Sequence, residues 1–393
     1  MSNPVQEILH DLEIVHSEMV EWRRYMHQHP ELSFEEIETA AFIADKLRAF
    51  GLDVKTGIGG NGVTGFLQGK NPGKTVALRA DFDALPIPDE KNVAYRSQNP
   101  GAMHACGHDG HTAALLGLAK VLSSHPDALK GNVLFVFQHA EEKPPGGAKS
   151  MIETGLLNEV DYVYAAHLAS DLPLGQIALG SGVRMAAVDK FKITVQGKGG
   201  HGARPQQAVD SIVIGSQLVT ALQQIVSRHV DPLKSAVVTI GVFQAGQAFN
   251  VIADTAVLEG TVRTFDPAVR KQTESDIRTI TEGLTRALGA EAAIEYINGY
   301  PALVNDAAET ERAGSRIEQV LGSGRTVEFE PSMGAEDFAY FLNERPGTYV
   351  RVGSHNGKPE TQYPHHHPKF DFDEQALLDI GQAFTAILSG RVL

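Results

Sequence analysis

Three short runs rich in β-branched and aromatic residues, Thr75 to Ala80, Asn132 to Phe137 and Asp161 to Ala166, each break off directly into side chains that can hold a charge or a metal. The first leads to Asp81-Phe82-Asp83, the second to Gln138-His139-Ala140-Glu141-Glu142, and the third to His167. Runs of this length and composition predict buried strands. Polar clusters at strand ends point to an open α/β sheet, because sites in such sheets form outside the carboxyl ends of the strands. Randomly placed surface residues would show no preference for those ends.

The neighbouring segments fit that sheet. Val5, Ile8, Leu12, Val15, Met19 and Trp22 recur at helical spacing over residues 5–28, and Ser33-Phe34-Glu35-Glu36 has the form of a capping box opening a second helix that stops at Gly51. Val63 to Leu67 reads as a further strand, and Thr112 to Leu122 as a helix. From Gly180 to Ala187 the character changes. Lys190 to Gln196, a helix from Gln206 to Arg228, strands at Ala236 to Phe243 and Thr255 to Thr264, a helix from Pro267 to about Leu288 and a strand at Ala292 to Ile297 spell βαββαβ, a ferredoxin-like unit. The predicted organisation is therefore a sheet domain over 1–185, an insertion over 186–298 and the rest of the sheet domain over 299–393. In that last part a helix is expected near Ala307 to Leu321, a loop and helix over Gly334 to Phe341, a strand at Thr348 to Val352 and a closing helix from Glu374 to Leu388.

At 393 residues the chain can form two domains with separate cores. A formal net charge of -14 argues against general binding to nucleic acid or an anionic membrane, and leaves room for a small substrate. One cysteine allows no internal disulfide, and acidic residues interrupt the N-terminal helix before any apolar signal region could form. No apolar run reaches the roughly 18–20 residues of a membrane span. The expected compartment is the cytoplasm.

That single cysteine stands in Met-His-Ala-Cys-Gly-His-Asp-Gly-His, residues 103–111. A lone cysteine is more often an inert buried residue than a ligand, but this one has three histidines and two glycines beside it. Thiolate and imidazole groups in a tight loop suit borderline-soft divalent metals. Cys106, His108, His167 and one histidine of 365–367 offer such ligands, and Glu142 adds an oxygen. These are more ligands than one catalytic ion takes, so two ions bridged by Cys106 or a carboxylate are expected, zinc and manganese both being suitable. Glu141, next to Glu142 but projecting differently, can act as a base. Asp109 either caps the following helix or belongs to the metal site. Two other functions use the same residues: a cysteine amidase with Cys106 as nucleophile, and a non-catalytic metal- or substrate-binding protein. The first leaves the Glu141-Glu142 pair and His167 without a task, and the second leaves Glu141 without one.

Together these motifs resemble the co-catalytic metallopeptidases that include aminoacylases and carboxypeptidases. The residues that carry the resemblance are His-Ala-Cys-Gly-His-Asp-Gly-His (104–111), Phe-Gln-His-Ala-Glu-Glu (137–142), Ala-His-Leu (166–168) and His-His-Pro-Lys-Phe-Asp (366–371). Arg-Ala-Asp-Phe-Asp-Ala-Leu-Pro (79–86) and Gly-Lys-Gly-Gly-His-Gly-Ala-Arg-Pro (197–205) resemble the amidohydrolase subgroup of hippurate, N-acyl-amino-acid and auxin-conjugate hydrolases. The resemblance implies a mainly parallel sheet flanked by helices, with the insertion acting as lid and as the interface of a homodimer or homotetramer. It implies Cys106 as bridging ligand, His108 with Glu142 at one ion and His167 with His366 at the other, Glu141 as general base, and Asp83 as the acid that orients a ligand or the base. It selects His366 because the terminal ligand lies two positions before the proline. His201 is implied to reach the partner's site, where it binds the oxyanion or the substrate carboxylate. Asn250 and Arg263 would hold the carboxylate of an N-acyl-amino acid, and Gly334 would line its acyl side. Dinuclear aminopeptidase relatives have a histidine ligand where this chain has Asp81.

Overall fold

The computed structural model describes residues 3–393. The chain begins with α1 (Pro4–Gln28), α2 (Ile37–Ala49), β1 (Asp53–Ile58), β2 (Gly62–Gln68), β3 (Lys74–Asp81), α3 (His108–Ser124), β4 (Gly131–Gln138), α4 (Ala148–Glu153), β5 (Tyr162–Pro173), β6 (Ile177–Leu179) and β7 (Gly182–Met185). It continues with β8 (Ala187–Gln196), β9 (Gly200–His201), α5 (Ser211–Gln224), β10 (Ala236–Ala245), β11 (Val251–Ile252), β12 (Thr255–Thr264), α6 (Pro267–Ala287) and β13 (Glu291–Asn298). It closes with β14 (Leu303–Asn305), α7 (Ala307–Leu321), β15 (Thr326–Glu328), α8 (Ala339–Glu344), β16 (Gly347–His355) and α9 (Gln375–Leu388). Two compact units result. One comprises the chain up to Arg184 with Val304–Glu330 and Asp337–Leu393; the other comprises Met185–Leu303 with Pro331–Glu336.

The first unit is built on a mixed sheet in the order β1-β2-β4-β3-β5-β16-β6-β15. β4, β3, β5 and β16 run parallel to one another at its centre. Their sequences are nearly continuous apolar runs because helices and loops bury both faces: β3 is buried from Thr75 to Asp81, and Val133, Phe135, Val136 and Phe137 of β4 are fully buried. α1 buries the stripe Ile8, Leu12, Val15 and Met19 against α3 and α9. Because β3, β4 and β5 are parallel neighbours, their carboxyl ends share one edge of the sheet.

Two local expectations fail and one strand goes unforeseen, each for an identifiable reason. No capping box forms at Ser33: its hydroxyl donates to Asp83 Oδ2 at 2.7 Å, and the first amides of α2, Glu38 and Thr39, donate to the Glu31 carboxylate. β1 escapes the sequence pattern because it is an edge strand with mostly exposed or half-buried residues. β5 does not stop before His167. It runs on to Pro173, held by parallel pairing to β16 through Arg351↔His167.

The second unit has the antiparallel order β10-β12-β8-β13, the ferredoxin-like arrangement expected from βαββαβ. Phe191, Ile193 and Val195 alternate inward on β8 and pack with Leu218, Leu222 and Ile277 of the two helices. β12 matches its predicted limits, Thr255 and Thr264.

Candidate metal centre

Three of the parallel strands, β3, β4 and β5, deliver parts of the site. β3 ends at Asp81 and is followed by Phe82 and Asp83, all buried. Asp83 is a junction: Oδ1 faces His108 Nδ1 at 3.1 Å, while Oδ2 accepts the Ser33 hydroxyl at 2.7 Å and the Glu142 N–H at 3.0 Å. Burial pushes its carboxyl up, but the His108 hydrogen bond and charge, with the Glu142 amide and Ser33, outweigh this and hold it below the usual range. Beyond β4, Ala140 takes a left-handed φ of 51° and its N–H donates to Glu36 Oε1 at 2.8 Å. The resulting turn brings ligand atoms of Glu141, Glu142 and His108 within 4.8 Å of one another.

The Cys106 loop enters α3 through Gly107, whose φ is +90°. A Cβ there would lie 2.9 Å from Leu168 Cδ1, so glycine meets both a conformational and a packing demand. α3 begins at His108, earlier than the sequence pattern suggests. Asp109 therefore lies in the first turn. It caps nothing and joins no ligand group among the described residues; Oδ2 receives Arg23 Nε at 2.9 Å and His27 Nδ1 at 2.7 Å.

Cys106 Sγ lies 3.5 Å from His167 Nε2. His167 Nδ1 donates to the Leu168 carbonyl at 2.6 Å, which leaves the Nε2 lone pair directed at the sulfur. From the far end of the chain, His366 N–H donates to the Ala105 carbonyl at 2.8 Å, and its Nε2 lies 3.2 Å from Glu142 Oε1. His365 instead packs at a tilt against Phe370, and His367 stacks on Tyr363. Donor atoms gather into Cys106–His108–His167 and Cys106–Glu142–His366, which share the sulfur, and into His108–Glu141–Glu142, which keeps His108 with Glu142.

A further cluster, Asp81, His108 and His111, has the right residue types but is already committed. His111 Nδ1 donates to Asp81 Oδ1 at 2.6 Å, while its Nε2 accepts the Leu168 N–H at 2.9 Å, and Arg79 Nη1 binds Asp81 Oδ2 at 2.6 Å. These groups act as scaffold.

The shared pocket fits a cation. His108 Nε2 and Glu142 Oε1, both buried, make no hydrogen bond, although they lie 3.8 Å apart and His366 is close to the latter. Nearly all the groups facing inward are lone pairs, and a cation would satisfy them together. Electrostatics agree. Burial lowers the His108 pKa, yet Asp81, Asp83 and Glu142 push it up to about 10. The Cys106 thiol is pushed up by burial and by Glu142, Glu141 and Asp81. His167 is pushed down by burial and by neighbouring His111 and His365. A site that binds a proton this strongly at His108 is one in which positive charge is wanted.

Residues 77–389 match the family model described as peptidase family M20/M25/M40. The chain belongs to that family. Its relatives within it include the YhaA protein of Bacillus subtilis, 51% identical over 373 residues that cover 95% of this chain and 94% of that protein. The N-acyl-L-amino acid amidohydrolase of Geobacillus stearothermophilus is 44% identical over 81% of this chain and 86% of its own. Among solved M20 structures, the Bacillus subtilis YXEP protein, described as a dinuclear metal binding peptidase, superposes with a TM-score of 0.82 at 36% identity, covering 95% of this chain and 98% of that one.

The second unit of this M20 chain holds the remaining candidates, and they lie apart. His201 pairs with Val251 in the β9–β11 ladder, beside Asn250, whose carbonyl accepts the Gly202 N–H. Both border a cavity of about 710 Å³. Arg263 is at the other end of β12, opposite Val188, and Gly334 accepts the Ala186 N–H near the same end. Arg263 is eight residues along the strand from Thr255, roughly 26 Å at 3.3 Å per residue.

Reading residue types and spacing did not reveal Arg23, His27 or Lys91, which are buried beside the site. A signal existed. Arg23 and His27 occupy i and i+4 on the face of α1 that is otherwise apolar, and charges there must find buried partners.

Proposed function

We propose that the chain is a metal-dependent amidohydrolase that cleaves N-acyl-L-amino acids, hippurate-like or N-acetylated, to a carboxylic acid and a free amino acid. The observation that carries the reading is the convergence of Cys106, His108, His167, Glu142 and His366 into two donor groups sharing one sulfur, with Glu141 beside them. The donor set suits two divalent ions, zinc or manganese, with Cys106 common to both. Bound there, the ions would polarise the scissile carbonyl and acidify a water. Glu141 then takes the proton of the attacking water and returns it to the departing amine. Asp83 fixes the His108 tautomer through Nδ1 and locks the Glu142 backbone.

Substrate recognition falls to the second unit. Arg263 is half-buried, and burial pushes its pKa down despite the charge of Asp189, so a substrate carboxylate would be a favourable partner. Gly334, lying near it, suits the acyl side. His201 and Asn250 lie beyond the Thr255 end of β12, too far from Arg263 to touch the same small substrate in one copy. Delivery of His201 by a second copy accounts for the separation and favours a homodimer, or a homotetramer made from it, joined through the inserted unit. Among the described residues no helix is long and apolar enough to cross a membrane. A single cysteine is in keeping with a cytoplasmic enzyme.

A thiol mechanism is disfavoured by the surroundings of Cys106, since burial and three carboxylates raise its pKa rather than lower it. The test is steady-state hydrolysis of N-acetyl, N-benzoyl and N-indoleacetyl amino acids by zinc- and manganese-loaded protein. Activity that survives EDTA and disappears with iodoacetamide would replace the metal reading by the thiol one.

A further inference from the structure

We propose that Arg23 is a positioning residue of the metal centre, holding the segment that carries Cys106 and His108 at a fixed separation from the segment that carries His366. The inference rests on the assignment of those residues as ligands.

Arg23 lies near the end of α1 and is fully buried. Its guanidinium spends its fork on acids from two segments: Nε on Asp109 Oδ2 at 2.9 Å, Nη2 on Asp371 Oδ1 at 2.7 Å and Nη1 on Glu374 Oε1 at 3.2 Å. Asp109 directly follows His108 in the first turn of α3, while Asp371 and Glu374 close the strap that follows His366. The plane of the guanidinium is fixed as well, 4.8 Å from the Tyr95 ring centre and 4.3 Å from that of Phe372. Tyr95 in turn donates its hydroxyl to Asp371 Oδ2 at 2.8 Å.

A second bridge repeats the first one turn further along α1. His27 Nδ1 meets the same Asp109 oxygen at 2.7 Å, and its Nε2 meets Lys91 Nζ at 2.7 Å. Lys91 also donates to the Phe370 carbonyl at 2.9 Å. Two parallel bridges from one helix thus reach the same two ligand-bearing segments.

The His366 side needs such anchoring. Its φ of +65° is disfavoured for any residue with a Cβ, and its side chain is 52% exposed, so packing around the ring does little to place it. Its place is set by the backbone, through the bond to the Ala105 carbonyl before it and the Asp371 and Glu374 anchors after it. A planar fork can hold three carboxylates at set angles; a lysine ammonium cannot. Metal ligands displaced even slightly lose affinity.

The test strips wild-type, Arg23→Lys and Asp371→Asn proteins of metal and titrates each with zinc against a chelator, at a temperature where circular dichroism shows all of them folded. Wild type is expected to take up two equivalents. In Arg23→Lys one of the two should weaken at least tenfold, and in the isosteric Asp371→Asn the same equivalent should weaken at least threefold. A residue serving only the fold would lower the melting temperature and leave zinc affinity of the folded protein unchanged. Wild-type affinity for both equivalents in either folded variant overturns the proposal. Should Arg23→Lys not fold, Asp371→Asn decides. If wild type itself binds no zinc, the ligand assignment falls, a result distinct from failure of the positioning role.

Discussion

Replacing Asp83 by Asn removes no atom of bulk but breaks the donor and acceptor pattern around it. In the native site one carboxylate accepts from three sides, His108 Nδ1, the Ser33 hydroxyl and the Glu142 amide. An amide has one accepting oxygen. If its nitrogen faces Glu142, two N–H groups confront each other in a buried site. If it faces His108, it meets an Nδ1–H that the Asp83 carbonyl already holds at 2.9 Å, and relieving that clash by moving the proton to Nε2 would block the atom needed for the metal. Either outcome costs about 1–3 kcal/mol, the penalty for a buried polar group left unpaired. Losses of roughly 10–100-fold in metal affinity, typical when the acid behind a ligating histidine is changed, correspond to about 1.4–2.7 kcal/mol, the same range. The assay is zinc competition with a chelator on folded, metal-stripped protein. Ser33→Ala serves as control: it removes one hydrogen bond of about 1 kcal/mol and leaves the His108 tautomer intact, so affinity should fall less than about tenfold. An Asp83→Asn protein that binds zinc within twofold of wild type would refute the tautomer argument.

Glu141→Gln should lower turnover by at least about 100-fold while metal content stays at the wild-type level, checked by kinetics and elemental analysis on the same sample; unchanged turnover removes Glu141 as the base. Gly107→Ala combines a φ of +90° with a Cβ 2.9 Å from Leu168, and should destabilise the metal-free protein by about 1–3 kcal/mol in urea unfolding; an unchanged midpoint would mean the loop relaxes freely. Proton binding gives a third check. His108 is raised from 6.5 to about 10, so its proton contributes stability that is complete below pH 6.5 and is lost as pH rises through 10. EDTA-treated protein should therefore melt at progressively lower temperature from pH 6.5 to 10. Zinc affinity should rise over the same range as the ion takes the place of that proton. A melting temperature that climbs with pH across that window contradicts the assignment.

What the sequence disclosed and what it withheld divide along a physical line. Buried parallel strands are continuous apolar runs whatever surrounds them, so β3 and β4 and the polar clusters after them could be read directly. The βαββαβ order was equally plain because each element of that unit alternates or repeats on its own. Ser33 and Asp109 were misjudged because both have a good local use, as caps, and a better distant one. Ser33 donates to a carboxylate in the loop that follows β3, and Asp109 accepts from an arginine in a helix far away in sequence. Local propensity cannot price such partners, since their worth arises only once burial has removed water from both sides. The same reasoning explains Arg23. As a sequence letter it is one more charge in an amphipathic helix, five residues before that helix ends at Gln28. Only when α3 and the strap after His366 close over it do three acids surround the guanidinium, and an unremarkable arginine becomes the point at which two halves of the candidate metal centre meet.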